Sequence, residues 1–233
     1  MNRKLKSAFF YGITIITVLI CIVLSDQTVT TFAENSPHPR IHCIIIDPGH
    51  GGEDGGAVSL SGIPESTYNL DISRKLNHIL NLLGYHTKLL RDSDISIYTQ
   101  GQTLAQKKIS DLKERVRLVN ETDGGILLSI HQNFYTDGKY SGPQVFYAKT
   151  EQSEALAKEI QASFLTVLKP ENKRKAKTSN GIYLMEHIRC PGVLIECGFL
   201  SNAREEHILQ DPAYQKKLSC VIAASVSRYL SNT

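Results

Sequence analysis

Short apolar runs alternate with helix-period patterns along most of the chain. Continuous apolar runs of four to eight residues are typical of strands covered on both faces, and apolar positions three and four residues apart indicate amphipathic helices. Strands are predicted at 42–47, 85–91, 126–130, 144–148, 182–185 and 193–197. Helices are predicted around 72–83, 112–119, 156–167 and 218–229. Strands separated by helices predict one α/β domain with a mainly parallel sheet.

Local signals mark where the predicted helices begin and end. Gly84 stops the first helix, and the third ends near Pro170. A polar loop of about eighteen residues follows the second strand. Asp111 and Glu114 then have the spacing of a capping pair, which predicts that the second helix begins beside them.

The first 33 residues follow a different pattern. Three basic residues precede an uncharged apolar stretch from Ala8 to Leu24, the layout of a secretory signal. Seventeen apolar residues is the lower limit for spanning a bilayer. Residues 1–33 are therefore predicted to be either a signal peptide or an N-terminal membrane anchor, followed by a linker at 34–40 and a domain at 41–233. Either alternative exports the domain.

Composition and charge exclude several classes of protein. With 41% hydrophobic and 21% charged residues, the chain is neither disordered nor a polytopic membrane protein. The first 33 residues carry three basic side chains and one acidic, so the other 200 hold 23 basic and 22 acidic. A nearly neutral domain has no electrostatic footprint for nucleic acid. Nucleic acid is excluded as a partner, and membrane contact is predicted only through the N-terminal segment.

The cysteines of the domain favour thiols over disulfides. Four of them, Cys43, Cys190, Cys197 and Cys220, permit two disulfides in an exported protein. However, two lie in apolar strands and one in an apolar helical stretch, and no C-x-x-C pair occurs. Free buried thiols are therefore the prediction.

Three predicted strands lead into an ionisable side chain: His50, His131 and Glu196. Sites in open α/β sheets form at the carboxyl ends of strands, so these groups are expected to meet at one edge. A further carboxylate, Glu65, lies just ahead of the first helix. Two imidazoles and one carboxylate make a catalytic zinc set with a fourth position left for water. The remaining carboxylate is suited to be a general base, and the spacing alone does not say which glutamate binds metal.

Several strings of this sequence resemble the zinc-dependent N-acetylmuramoyl-L-alanine amidases. They are IIIDPGHGGEDGGA at 44–57, LLSIHQN at 127–133 and VLIECGFLSN at 193–202, together with Glu65. The resemblance covers roughly residues 41–231. It implies a single domain with a mixed, mostly parallel central sheet flanked by helices on both faces, which agrees with the fold predicted from the apolar pattern.

The resemblance also implies a reaction and its residues. One Zn²⁺ per chain would be held by His50, Glu65 and His131, and Glu196 would be the catalytic carboxylate. Zinc-activated water would hydrolyse the amide between the lactyl group of N-acetylmuramic acid and the L-alanine of the stem peptide. Peptidoglycan is the implied substrate. The resemblance therefore makes 41–233 the zinc amidase catalytic domain, expected in the cell wall or anchored to the membrane facing the wall.

Four further residues are predicted to contact the substrate. The family usually has a small residue after the second ligand histidine, where this chain has Gln132 and then Asn133. Gln132 would narrow the substrate groove or hydrogen-bond within it. Gly51 and Gly52 would let the backbone approach a glycan strand.

The single-domain build resembles the sporulation and germination amidases of the CwlD type. This implies a role in spore cortex maturation, through formation of muramic-δ-lactam, in the cortex space of a spore former. The alternative is a catalytically idle homologue that binds peptidoglycan and needs an activating partner protein. A zinc carboxypeptidase or a sugar deacetylase with similar ligands is a further enzymatic alternative.

Overall fold

The computed structural model describes residues 43–169 and 171–232, so the predicted leader and linker lie outside the described residues. The strands form one six-stranded sheet in the order β2–β1–β3–β6–β4–β5. Their bounds are β1 Cys43–Pro48, β2 Thr87–Leu89, β3 Gly125–Asn133, β4 Gln144–Tyr147, β5 Lys177–Thr178 and β6 Gly192–Phe199. The first three strands and β6 run parallel, whereas β4 pairs antiparallel with β6 and parallel with β5. The mixed, mostly parallel sheet is confirmed.

In the described part of the chain, six α-helices flank this sheet. Their bounds are α1 Glu65–Leu82, α2 Leu104–Asn120, α3 Ser153–Ser163, α4 Tyr183–His187, α5 Ala203–Gln210 and α6 Pro212–Ser231. A π-helical turn at Phe164–Leu168 continues α3. Within the described ranges, none of these helices is both long enough and apolar enough to cross a membrane.

The central strands are apolar on both faces because both faces are covered. Alternate strand residues, such as Ile46 and Leu128, pack with the buried faces of α1, α3 and α6. The intervening residues, such as Ile45 and Leu127, pack with α2 and α4. Successive strand side chains point to opposite faces, so a continuous apolar run follows from helices on both sides.

Two predictions of secondary structure are wrong, and the first concerns the start of α2. Helix α2 begins at Leu104, where Thr103 and Gln106 form the capping box. Asp111 lies inside this helix, where its carboxylate accepts from the backbone of Ile97. The predicted capping pair with Glu114 therefore does not mark a helix start.

The apolar run 182–185 is not a strand, because Tyr183–His187 forms the short helix α4. Leu184 and Met185 are buried in the core on the α2 face of the sheet. A short buried run has no periodicity that separates the two structures.

The four cysteines in the described part of the chain are free thiols, as predicted. Cys43 and Cys197 are buried, Cys190 is half-buried, and Cys220 is exposed on α6, against the prediction that it is buried.

Candidate active site

The register of the parallel strands brings the predicted site residues to one edge of the sheet. Asp47 and Pro48 at the end of β1 pair with Ser129 and Ile130 of β3. One residue further along β3, His131 pairs with Glu196 of β6. The loop after β1 therefore starts at the same edge of the sheet as these two side chains.

Three side chains meet at this edge in a compact cluster. The candidate ligand atoms of His50, Glu65 and His131 all lie within 4.8 Å of one another. Glu65 bridges the two rings, with Oε2 3.4 Å from His50 Nε2 and Oε1 3.0 Å from His131 Nδ1. The ring centroids of the two histidines lie 5.0 Å apart. The predicted metal ligands are therefore close enough to hold one ion.

The donor set fits zinc. Zinc favours imidazole nitrogen and carboxylate oxygen, and catalytic zinc sites use three protein ligands with a position left open. His50 Nδ1 is hydrogen-bonded to Asp54 Oδ2 at 2.9 Å, which leaves Nε2 facing Glu65. Metal-binding histidines are commonly oriented by a carboxylate in this way. Sequence reasoning missed Asp54, although a carboxylate four residues after a ligand histidine was a visible signal.

Several contacts stabilise the ionised form of Glu65. It is the first residue of α1, where the helix dipole favours negative charge. Oε2 accepts from the backbone of Ala57, and Oε1 accepts from the backbone of Gln132 and the amide of Asn69. Burial alone would raise the pKa of Glu65, but its contacts with the two histidines hold that pKa far below the ordinary range.

The same contacts favour protonation of His50. Burial disfavours the imidazolium, but the hydrogen bonds to Asp54 and Glu65 outweigh burial and raise the pKa of His50 to about 9. Two carboxylates around one imidazole make this a site that attracts a cation.

Glu196 has a different environment from Glu65. Its Oε2 atom is buried and has no hydrogen-bond partner in the described structure. Burial raises the pKa of Glu196 to about 7, with a contribution from the charge of Glu65, while the two histidines lower it. A carboxyl group with a pKa near neutrality is able both to accept and to donate a proton.

Two glycines are required by the cluster itself. A Cβ atom on Gly49 would lie 2.2 Å from the ring of His131, and one on Gly56 would lie 2.7 Å from both Glu65 Oε2 and His50 Cδ2. The absence of side chains at these positions lets the loop close around the three candidate ligands.

The comparisons with known proteins assign this chain to a family. A family model described as N-acetylmuramoyl-L-alanine amidase matches residues 44–228. The chain belongs to this family. The resemblance of the sequence motifs to such amidases is thereby confirmed.

Individual relatives agree with that assignment. The amidase is 38% identical over 190 residues to the germination-specific N-acetylmuramoyl-L-alanine amidase of Bacillus subtilis (strain 168), which is 81% of this chain and 79% of that protein. It is 32% identical over 182 residues to the amidase LytC of the same organism, covering 77% of this chain and 34% of LytC. A solved structure of the CwlD amidase from Clostridioides difficile, in complex with the GerS lipoprotein, is 37% identical. Its TM-score is 0.79, with 82% of this chain and 100% of that chain covered.

The placement of Gln132 in the amidase does not fit the predicted contact with substrate. Its side chain is only 3% exposed and donates to Asn69 Oδ1 at 3.2 Å. Gln132 follows His131 in β3 and therefore points to the opposite face of the sheet. Its backbone N–H donates to Glu65 Oε1, so Gln132 helps to hold a candidate metal ligand in place.

The other predicted contact residues of the amidase have structural contacts of their own. The carbonyl of Asn133 accepts from the backbone of Leu200. Gly52 donates to Asp94 Oδ1, and a Cβ on Gly51 would lie 2.3 Å from the carbonyl oxygen of Ile95. Gly51 and Gly52 therefore let two loops pack closely together.

A cavity of about 270 Å³ lies next to the candidate ligands of the amidase. His50 and His131 line one part of it, and Ile182, Leu184 and Leu194 supply apolar lining. Ile182 and Leu184 were not predicted as candidates, because the 182–185 run was predicted to be a strand inside the sheet. A mixed polar and apolar recess beside the cluster is typical of a substrate pocket.

Proposed function

We propose that this amidase hydrolyses, in peptidoglycan, the amide bond between the lactyl group of N-acetylmuramic acid and the L-alanine of the stem peptide. One observation carries the proposal: a zinc-type ligand cluster lies beside a carboxylate with one buried oxygen that has no hydrogen-bond partner in the described structure, in a chain of this family. An unpaired buried carboxylate is unfavourable for folding. Its retention beside the cluster is explained by a role in proton transfer.

The chain's own residues divide the work of such a hydrolysis. His50, Glu65 and His131 would hold one zinc ion, and Asp54 orients the ring of His50. When bound, zinc polarises the substrate carbonyl and lowers the pKa of water. Glu196 takes a proton from the attacking water. It then delivers that proton to the nitrogen of L-alanine, which is a poor leaving group unless it is protonated.

We further propose that the enzyme acts outside the cytoplasm, on spore cortex, in the step that leads to muramic-δ-lactam. The B. subtilis relative, a germination-specific amidase, supports this role. An activating partner protein belongs to the same proposal. It is supported by the C. difficile CwlD amidase, whose structure was solved in complex with the GerS lipoprotein.

The test uses the purified full-length protein, its Glu196→Gln variant and zinc, incubated with peptidoglycan. New L-alanine N-termini are quantified together with bound zinc per chain. We expect wild type and the variant to bind one zinc each, and the variant to lose about 10²–10⁴-fold in rate. Glu151→Gln removes an exposed carboxylate and serves as the matched control. Released D-alanine or acetate would instead identify a carboxypeptidase or a deacetylase.

Other outcomes contradict parts of the proposal. If wild type binds zinc but releases no L-alanine N-termini from cortex or vegetative wall, even with a partner protein, the chain is an idle homologue. If Glu196→Gln retains full activity, Glu196 is not the proton carrier. If wild type binds no zinc, the ligand set is wrong.

A further inference from the structure

Two buried arginines hold the loop that carries the first candidate ligand. Arg91 follows β2 and is 3% exposed, whereas Arg115 lies in α2 and is 2% exposed. Both guanidinium groups donate to the main-chain carbonyls of residues 48–50, which we call the ligand loop. The contacts are Arg91 Nε to Pro48 O at 2.9 Å, Arg91 Nη2 to Gly49 O at 3.0 Å, Arg115 Nη1 to Pro48 O at 3.0 Å and Arg115 Nη2 to His50 O at 2.8 Å.

Arg91 is unusual because its hydrogen-bond partners are all backbone carbonyls. Besides the ligand loop, it donates to the carbonyls of Ser93 and Ser66, at 2.9 and 3.0 Å. Of the ion pairs found between described residues, none includes Arg91. Burying a cation without a paired anion is costly. The charges of Asp47, Asp94 and Asp111 offset part of this cost from beyond ion-pair distance. The hydrogen bonds found for the guanidinium in the described structure all go to carbonyls, so its direct contacts hold backbone.

Arg115 adds an anchor to the sheet. It pairs with the buried Asp47 at the end of β1 and, at 2.6 Å, with Asp111 one helical turn earlier in α2. Ser129 of β3 donates to the other oxygen of Asp47 at 2.7 Å. The guanidinium that contacts His50 O is thus fixed to two strands and one helix.

The ligand loop needs such anchoring because its conformation is strained. His50 has φ +59°, a left-handed conformation that is unfavourable for a non-glycine residue. Gly49 is pressed against the ring of His131 closely enough to exclude a Cβ atom. Among the described residues, the donors found for these three successive carbonyls are the two arginines and, at Gly49 O, the side-chain amide of Asn69 at 3.2 Å.

We propose that Arg91 and Arg115 together form a guanidinium clamp on the ligand loop, which holds His50 in the position for metal binding and so sets the zinc affinity. They are positioning residues, since they act through the backbone of the ligand loop. The inference rests on the proposed function only in taking His50 as a zinc ligand. A planar fork that serves two carbonyls at once cannot be replaced by the single ammonium group of lysine.

The test compares the full-length variants Arg91→Lys and Arg115→Lys with wild type and with Arg74→Lys. Arg74 is a matched control because it also donates to a loop carbonyl, that of Asp92 next to Arg91, but is exposed and makes none of the described hydrogen bonds to the ligand loop. Zinc dissociation constants are measured by competition with a chromophoric chelator, and the visible spectrum of the Co²⁺ form reports ligand geometry. We expect about 10–100-fold weaker zinc binding and a changed Co²⁺ spectrum in both clamp variants. Arg74→Lys should match wild type in both.

The readouts separate a clamp from a merely structural role. If the clamp variants lose thermal stability but bind zinc as tightly as wild type, the proposal is overturned. Should a variant fail to fold, hydrogen exchange in zinc-free wild type replaces it. The Gly49 N–H already donates to Ile130 O in β3, so the readout is the amide of Gly51, which donates to Asp54 O within the turn. Protection at Gly51 comparable to β1 supports a clamped loop, and exchange as fast as in exposed loops overturns it.

Failure of the clamp is also distinguishable from failure of the proposed function. If wild type binds zinc but does not cleave peptidoglycan, the affinities of the variants still decide the clamp. If wild type binds no zinc, both the ligand set and the clamp are overturned.

Discussion

Glu65 and Glu196 are of one residue type at one site, yet their surroundings separate their chemistry. Glu65 accepts three N–H groups and contacts two imidazoles, so it stays ionised. Glu196 has a buried oxygen without a partner, and its pKa rises to about 7. Hydrogen-bond donors therefore decide which glutamate is suited to bind a metal ion and which is suited to transfer a proton. The spacing of the two residues in the sequence does not reveal these donors.

Glu196→Gln is expected to stabilise the zinc-free protein at neutral pH. Unfolded, the carboxyl ionises near 4.5, but in the folded protein it keeps its proton up to about 7. Stability therefore falls as pH rises from 4.5 to 7, and the penalty is complete above 7. This increase in the pKa of Glu196 corresponds to about 3 kcal/mol of lost folding stability above pH 7. The neutral amide of glutamine does not ionise, so the variant avoids this loss. Urea unfolding with a chelator at pH 4.5 and pH 8 measures the effect.

In that experiment the variant should match wild type at pH 4.5 and exceed it at pH 8. Glu151→Gln, at an exposed position, should show no such pH dependence. A Glu196→Gln difference that is constant across pH contradicts the assignment of a buried carboxylate to this pKa.

Gly56 and Gly62 offer a comparison at single-residue resolution. Both have positive φ, +72° and +81°, so alanine strains the backbone at either position. Only at Gly56 does the added Cβ meet candidate ligands, whereas nothing lies within 4 Å of it at Gly62. We expect both alanine variants to lose about 1–2 kcal/mol of stability. Only Gly56→Ala should weaken zinc binding, and equal zinc affinities in a chelator competition would argue against the glycine's role at the site.

Elements with strong patterns were predictable, and elements defined by tertiary packing were not. Strand ends carrying His131 and Glu196 follow from short apolar runs and from the geometry of parallel sheets. The burial of Gln132 was also predictable, because a residue next to His131 in a strand must face the opposite side. By contrast, α4 is apolar only because it packs on the sheet, and its five residues have too little periodicity to reveal a helix.

The start of α2 was mispredicted because the sequence contains two pairs of residues with the spacing of a helix cap. Thr103 and Gln106 exchange side-chain hydrogen bonds with each other's backbone, about two turns before Asp111. Asp111 and Glu114 have similar spacing, but Asp111 pairs with Arg115, so its carboxylate serves the clamp rather than a helix end. Local spacing alone could not rank these two pairs.

Thr103→Ala should therefore destabilise the protein by about 1 kcal/mol through loss of the cap. For a domain of this size, that corresponds to a decrease in Tm of about 2–4 °C. Arg115 lies three turns further along α2, so zinc affinity should stay unchanged. Thr103→Ser keeps the hydroxyl and is the control. A loss of zinc affinity in Thr103→Ala would mean that the helix start and the clamp are coupled.

At the scale of the whole molecule, the site lies where separate parts of the fold meet. His131 and Glu196 belong to neighbouring strands, Glu65 begins α1, and Arg115 reaches the ligand loop from α2 on the other face of the sheet. A zinc ion bound by His50, Glu65 and His131 would therefore link the loop after β1, a helix and a strand. Its binding energy becomes folding energy of the domain, because the unfolded chain has no assembled site.

Zinc is therefore expected to raise the Tm of wild type, and more strongly at higher pH. At a free concentration of 100 times Kd, binding contributes about 2.7 kcal/mol, or about 5–10 °C for a domain of this size. The pKa of His50 is raised to about 9, so its imidazolium stabilises the zinc-free fold below pH 6.5, and this contribution is lost as pH rises towards 9. Zinc requires the neutral imidazole, so it competes with that proton. The Tm difference between zinc and chelator should grow from pH 6.5 to pH 8.5 in differential scanning calorimetry. His131→Ala should show little zinc-induced shift at either pH, and a wild-type shift that shrinks with pH would contradict His50 as a ligand that releases a proton on binding.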